Sequence, residues 1–267
     1  MLTGATRLVG LLGHPVAHSL SPRMQNAAFA ARGLDWAYVP LDVAPQRLEG
    51  AVAGLVALGF VGANVTIPHK TAVLGFCDEL DRVAERGGSV NTLLVEAGLV
   101  RGSSTDGAAV CEAVEPAGAR VVILGAGGAA QAVAMALLDA GAASLCVAAR
   151  DAERAGALAA RLRALEGAHD VEALRDWPPR GVRADLVVNA TPVVDAVPVQ
   201  LDGVGQVVDL AYRTDTRPTA LVLAAQKAGC ERVVDGLQVL VRQGAASFER
   251  WTGVPAPDDV MRAALTA

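Results

Sequence analysis

Short apolar runs separated by helical patterns recur along the whole chain, which is the layout of an α/β protein. Residues 7–12 form the first run. A helix follows it, announced by Ser21 as its cap, Pro22 at the first helical position and Gly33 beyond the end. Residues 36–43 predict a strand, 45–58 a helix and 61–67 a third strand, with shorter strands at 90–95 and 99–101. Residues 120–124 are a strand that ends at Gly125-Ala126-Gly127-Gly128-Ala129-Ala130 and passes straight into an Ala/Leu helix reaching about residue 140. Strands are then expected at 144–149, 185–189 and 207–210, and helices at 151–165, 237–251 and 258–265. Asp235-Gly236 breaks the pattern ahead of the 237–251 helix. No internal repeat or low-complexity linker interrupts this order.

Composition narrows the picture. A chain of 267 residues has room for two domains, each with its own core. Hydrophobic residues make up 52% and aromatic ones 3%, so that core is built from Ala, Val and Leu, which suits parallel sheets covered by helices. The net charge of −5 is scattered, without the basic stripe that nucleic acid or an acidic membrane requires. Cys77, Cys111, Cys146 and Cys230 lie far apart in apolar segments with no C-x-x-C pair, and read as buried, reduced thiols. The N-terminus lacks the layout of a secretory signal, and no apolar run reaches the ~18 residues of a membrane span, so a cytoplasmic protein is expected. His14 and His18 are four apart but flank Pro15, with no third ligand in view, and no metal is expected.

Lys70 sits just past an apolar strand, behind Pro68. An isolated lysine there is most simply a solvated charge. Three other polar clusters at strand ends change that reading: Ser19-Leu20-Ser21-Pro22, Ser89-Val90-Asn91-Thr92 and Ser104-Thr105-Asp106-Gly107. Ser19 and Ser21, before a helix N-terminus, suit a carboxylate, although Ser21 also serves as a plain cap. Asn91, Thr92 and Asp106 are equally ordinary turn formers. The glycine run after a buried strand, opening a helix, lets backbone approach a pyrophosphate that the helix N–H groups then hold. At the end of the next strand stand Arg150 and Arg154, a clamp for a 2′-phosphate. Asp151 between them is either a helix cap or an acceptor for ribose hydroxyls. Gln243, among Leu240, Val241 and Ala245, reads from its surroundings as a solvated position.

With these residues in view, the chain resembles the shikimate dehydrogenase family along nearly its whole length. The shared motifs are Ser19-x-Ser21-Pro22 with Asn26-Ala27-Ala28, Asn64-Val65-Thr66-x-Pro68-x-Lys70 and Gly88-Ser89-Val90-Asn91-Thr92. Thr105-Asp106-Gly107, the 125–130 loop, and Asp235-Gly236-Leu237 with Gln243 and Trp251-Thr252-Gly253 complete them. The resemblance implies an α/β substrate domain over residues 1–102, a Rossmann-like doubly wound NADP domain over 103–236, helices over 237–267 that return to the first domain, and an active site in the cleft between domains. It implies Lys70 and Asp106 as the catalytic pair, with Ser19 and Ser21 on the substrate carboxylate and Thr66, Asn91, Asp106, Tyr212 and Gln243 around the substrate. It further implies NADP held by Gly125, Ala126, Gly127, Gly128, Ala129, Ala130, Arg150, Asp151, Arg154, Thr191, Leu210 and Gly236. The implied reaction is reversible reduction of 3-dehydroshikimate to shikimate by NADPH, in a monomer or homodimer.

The chain departs from the family pattern in three places: Ala149-Arg150-Asp151 keeps only the arginine of the cofactor motif, Val193-Val194-Asp195 replaces a usual x-Gly-Met, and Val239 and Arg213 stand where methionine and asparagine are frequent. These leave open NAD in place of NADP. The rivals are a sister enzyme oxidising quinate or an amino analogue with NAD, and a non-catalytic cofactor-sensing module on the same fold.

Overall fold

The computed structural model describes residues 2–165 and 170–266. The chain divides into two compact units, Met1–Thr105 with Leu240–Ala267, and Asp106–Val239.

In the first unit the apolar run at the N-terminus becomes β1 (Arg7–Gly13), followed by α1 (Ser21–Ala31), β2 (Trp36–Asp42), α2 (Leu48–Ala57, led in by a 3₁₀ turn at Pro45–Arg47) and β3 (Gly62–Val65). Then come the short β4 (Glu79–Leu80), α3 (Arg82–Gly87), β5 (Thr92–Glu96) and β6 (Leu99–Ser103). The sheet order is β2-β1-β3-β5-β6-β4. β1 pairs in parallel with β2 and β3, so all three deliver their carboxyl ends to one edge. β5 runs antiparallel to β3 and places Thr92 opposite Asn64. The core under α2 gathers Leu12, Val52, Leu55, Val65, Val90 and Leu93. Strand β3 is shorter than the expected 61–67: it stops at Val65, because Thr66 and His69 close a turn in which the His69 N–H donates to the Thr66 carbonyl (2.9 Å).

The second unit begins with α4 (Asp106–Cys111), and then β7 (Arg120–Leu124), α5 (Gly128–Asp139), β8 (Ser144–Ala148), α6 (Ala152–Arg163), β9 (Val171–Leu174), β10 (Leu186–Asn189), β11 (Gln206–Asp209), α7 (Ala220–Lys227) and β12 (Arg232–Val234). Its sheet is wholly parallel, in the order β12-β11-β10-β7-β8-β9. Both faces are covered. Along β7, Val121 and Ile123 enter the core beneath α5 and α6, whereas Val122 and Leu124 enter the opposite core with Val187, Val207 and Leu221. The elements β9, α7 and β12 were not marked in the sequence; each is short, and two are three- or four-residue strands. Helix α8 (Gly236–Thr252) starts in the second unit and continues into the first, which α9 (Asp258–Thr266) completes. Among the described residues no helix is long and apolar enough to cross a membrane.

The cysteines correct one expectation. All four are free, but each is only partly buried. Desolvation still pushes the thiols of Cys77 and Cys111 up to about 11 and raises those of Cys146 and Cys230, so the reactive thiolate is scarce at neutral pH.

A fork–fork pair joins the starts of β7 and β10: Arg120 donates to Asp185 through Nε (2.9 Å) and Nη2 (2.7 Å), and its backbone N–H adds a third bond (2.8 Å). These bonds lower the Asp185 carboxyl to about 2. A depressed carboxylate stabilises the fold above its unfolded value and loses that contribution as pH falls toward 2. Asp185→Asn is therefore expected to destabilise the protein modestly, by about 0.5–1 kcal/mol at pH 7 and by less at pH 2.5, as read by urea unfolding at both pH values.

Candidate active site

In the first unit, polar side chains are buried at the carboxyl end of β3 and the start of β5, where a lone polar group would be costly. They satisfy one another. The Asn64 amide, 6% exposed, accepts from the Tyr38 hydroxyl (2.8 Å) and donates to the Asn91 carbonyl (3.0 Å) and to the Ser247 hydroxyl on α8 (3.0 Å). Thr92 Oγ1 lies 2.8 Å from Ser247 Oγ and donates to Asn91 Oδ1 (2.9 Å). The amide of Asn91, 2% exposed, accepts from the Thr105 N–H (3.0 Å) and donates to Thr105 Oγ1 (2.9 Å) and to Gln243 Oε1 (3.3 Å). Thr105 Oγ1 and Ser247 Oγ each donate to the Gln243 carbonyl (3.0 Å both). Asn91 is thus a hub rather than a turn former, and Gln243 is half-buried at its rim instead of solvated.

Lys70 is half-buried in the turn region after β3. Its carbonyl accepts from the Val90 N–H (2.8 Å), which sets the lysine backbone beside the strand leading to Asn91. Thr66 is anchored on the other side, its N–H donating to the Leu12 carbonyl (2.8 Å). His69 is buried with Nε2 2.7 Å from the Val43 carbonyl, a bracing contact that sequence reading missed. His14 Nδ1 pairs with Asp42 Oδ1 at 2.6 Å, at the ends of β1 and β2. Among the described residues, no group of three or more His, Cys, Asp or Glu is placed to hold a metal.

Ser21 is not the cap of α1. The cap position is Leu20, with no side-chain cap bond, and Ser21 opens the helix with its N–H donating to Ser19 Oγ (3.2 Å). That turn draws Ser19 and Ser21 together at a helix N-terminus.

In the second unit, the strand order reverses between β7 and β10, the switch point where open α/β sheets bind ligands outside their carboxyl ends. Gly125 follows β7 with φ +114°, and a side chain there would press on the Ala190 carbonyl at 3.0 Å, so this glycine is demanded by the fold. Gly127 differs. It is exposed, caps α5, and a Cβ on it would meet nothing within 4 Å. A bare backbone facing open space at the N-terminus of a 12-residue helix fits a diphosphate brought close to the chain, with Ala126 just before it and Gly128, Ala129 and Ala130 opening the helix. Arg150, Asp151 and Arg154 are exposed at the end of β8. Asp151 caps α6: its Oδ1 accepts from the Arg154 N–H (3.1 Å) and its Oδ2 lies 3.3 Å from Arg154 Nε. Thr191 follows β10, Leu210 and Tyr212 follow β11, and Gly236 is buried against the Leu210–Ala211 backbone.

Asp106, 6% exposed, opens α4 instead of sitting in a loop. The following Gly107 lets α4 close on α5, since a Cβ there would meet the Ala136 Cβ at 2.6 Å and the Ala132 carbonyl at 2.8 Å.

Three family models match the chain: the shikimate dehydrogenase substrate binding domain over residues 11–93, shikimate / quinate 5-dehydrogenase over 110–201, and the shikimate 5′-dehydrogenase C-terminal domain over 236–266. A shikimate dehydrogenase (NADP(+)) of Methanopyrus kandleri is 46% identical over 97% of this chain and 95% of its own length. This chain belongs to the shikimate dehydrogenase family. Among solved structures of that fold, the shikimate 5-dehydrogenase of Thermus thermophilus in complex with NADP(H) and shikimate matches with TM-score 0.84 and 34% identity, covering 97% of this chain and 98% of that one. The ligand-free 5-ketofructose reductase of Gluconobacter sp. strain CHM43 matches with TM-score 0.87 and 34% identity over 98% and 99%. One fold thus serves proteins named for different activities.

The buried amide at position 64 has no spare partner to lose. Asn64→Leu is expected to remove the bonds to the Tyr38 hydroxyl, the Asn91 carbonyl and the Ser247 hydroxyl from a buried site and to lower stability by about 2–4 kcal/mol, whereas Ser247→Ala costs about 1 kcal/mol; urea unfolding of both variants checks the ranking.

Proposed function

We propose that the protein is an NADP-dependent shikimate dehydrogenase, which reversibly reduces 3-dehydroshikimate to shikimate in the route to the aromatic amino acids. The observation that carries the reading is the Asn91–Thr105–Gln243 cluster, built from three separate segments into one network in a chain that matches the family from end to end. Such a cluster has amide and hydroxyl groups at its rim, suited to a polyhydroxylated ring.

In this reading Ser19 and Ser21 hold the substrate carboxylate at the N-terminus of α1, where the helix dipole favours an anion. Thr66, Asn91, Tyr212 and Gln243 orient the ring. When bound, NADPH supplies the hydride. As negative charge develops on the carbonyl oxygen, the Lys70 ammonium stabilises it and supplies the one proton the alcohol needs, while Asp106 holds the reacting oxygen in place. Gly125 to Ala130 hold the diphosphate, Thr191, Leu210 and Gly236 line the approach to the nicotinamide, and Arg150 with Arg154 meets the 2′-phosphate. Asp151 is engaged in capping α6, which supports NADP over NAD. Four free cysteines support a reducing compartment, the cytoplasm.

Reduction of NADP and NAD, each with shikimate and with quinate, followed at the reduced-nicotinamide band, tests the reading: fast turnover with shikimate and NADP is expected, and turnover chiefly with quinate or NAD rejects it. Lys70→Ala is expected to lower kcat about a thousandfold while the dissociation constant for NADPH stays within about twofold. Arg150→Ala is expected to weaken NADPH about tenfold and leave NADH unchanged, as measured by nucleotide fluorescence titration.

A further inference from the structure

A second buried polar network lies in the nucleotide-binding unit, and the chemistry above does not use it. Its centre is Asp209, 0% exposed, the last residue of β11. The parallel register sets it directly opposite Asn189, 0% exposed and the last residue of β10. Asp209 Oδ1 accepts from Asn189 Nδ2 (2.8 Å) and from the Ala211 N–H (3.0 Å), while Oδ2 accepts from Thr219 Oγ1 (2.5 Å). Burial raises this carboxyl above its usual value, and the three donors act against that rise. A carboxylate kept dry at the end of a strand is costly unless hydrogen bonds compensate it, and here three donors do so.

What it holds are the two loops at the switch-point edge. Through Asn189, whose Oδ1 accepts from the Thr191 N–H (3.1 Å) and hydroxyl (2.6 Å), the carboxylate fixes the first turn after β10. Thr191 Oγ1 in turn accepts from the Val193 N–H (3.3 Å). Through the Ala211 N–H it fixes the turn after β11. Through Thr219, the cap of α7, it also fixes the stretch just beyond the turn after β10, because the neighbouring Ala220 N–H donates to the Val194 carbonyl (2.8 Å). Thr191 is also the residue beside the glycine turn: a side chain on Gly125 would meet its Cγ2 at 3.4 Å.

We propose that Asp209 is a positioning residue for the cofactor, one that does not touch the nucleotide and sets the backbone of residues 190–195 and 210–212 on which the nicotinamide end rests. This inference depends on the reading that the crevice takes a nicotinamide dinucleotide. It also fits the departure from the family pattern at Val193-Val194-Asp195: Val193 and Val194 are held through their backbone N–H and carbonyl, which a change of side chain leaves in place.

The test is binary NADPH binding by nucleotide fluorescence, without shikimate and below the melting temperature of each variant, together with kcat and the KM for shikimate. Asp209→Ala and Thr219→Val are expected to raise the NADPH dissociation constant about tenfold and to lower kcat by a similar factor, with the KM for shikimate within about twofold. Thr219→Ser, which restores the hydroxyl, and Asp209→Asn, which keeps an acceptor for Asn189 and Ala211 while the Thr219 hydroxyl turns to accept, are expected to recover most of that loss. Should Asp209→Ala fail to fold, the contrast between Thr219→Val and Thr219→Ser decides. Variants that melt lower yet bind NADPH as the parent protein does would overturn the inference and leave Asp209 a structural residue. A parent protein that binds neither NADPH nor NADH would instead overturn the reading on which the inference rests, and the inference with it.

Discussion

One direction shared by six strands is the constraint on which the second unit depends. Parallel pairing cannot be closed by tight hairpins, so each strand is followed by a crossover that returns the chain to the starting edge, and helices come to cover both faces. A sheet buried on both faces admits few polar side chains along its strands. Val121, Val122, Ile123, Val187, Val188, Val207 and Val208 are all at most 1% exposed. The polar groups are displaced to where the strands end, and because the strands run one way, they end together. Gly125, Asn189 and Asp209 share an edge as a result of sheet geometry, before any chemistry is considered.

The two units answer the burial of polar atoms in the same way, with an asparagine at a strand end as the hub. Asn64 and Asn91 in the first unit and Asn189 in the second each donate and accept at once, which a carboxylate or an ammonium cannot do. A neutral amide also avoids the desolvation of a full charge. Within these networks Asp209 carries one, with three donors around it. Networks of this kind add little net stability, since their bonds replace bonds to water, but a wrong arrangement leaves groups unpaired and is heavily disfavoured. They select one backbone arrangement at each site.

The alternation of strands and helices was legible because buried parallel strands and Ala/Leu helices leave long signals; the strand at residues 120–124 and the helix after it stand where the pattern put them. The short β9 and β12 were not, for an apolar stretch of three or four residues has no period to detect. The cap of α1 was misplaced by one residue, since Ser at Ser21 and Pro at Pro22 suit neighbouring positions of a helix start equally well. Candidate site residues that carry a motif are named from the sequence by resemblance. Tyr38, Ser247, Asp209 and Thr219 could not, because what makes them part of a network is a partner 10 to 183 residues away. Nothing in local spacing signals such a pairing. Gln243 shows the same limit from the other side: polar among apolar neighbours on α8, it looks solvated until Asn91 and Thr105 are brought against it.

Gly125 and Gly127 stand two residues apart in one turn, yet only the first is held by the fold, through its left-handed φ and the carbonyl of Ala190 against it. A side chain at Gly125 would strain the native state, raise the unfolded fraction and expose the chain to cellular proteases, so such an allele would be lost as protein. At Gly127 a Cβ would meet nothing within 4 Å, so a residue that caps a helix well, such as serine, would leave folding and abundance nearly unchanged. Drift at that position is therefore invisible to quality control. Only selection for what occupies the empty space can keep the residue a glycine, and abundance in the cell is no guide to whether this turn still works.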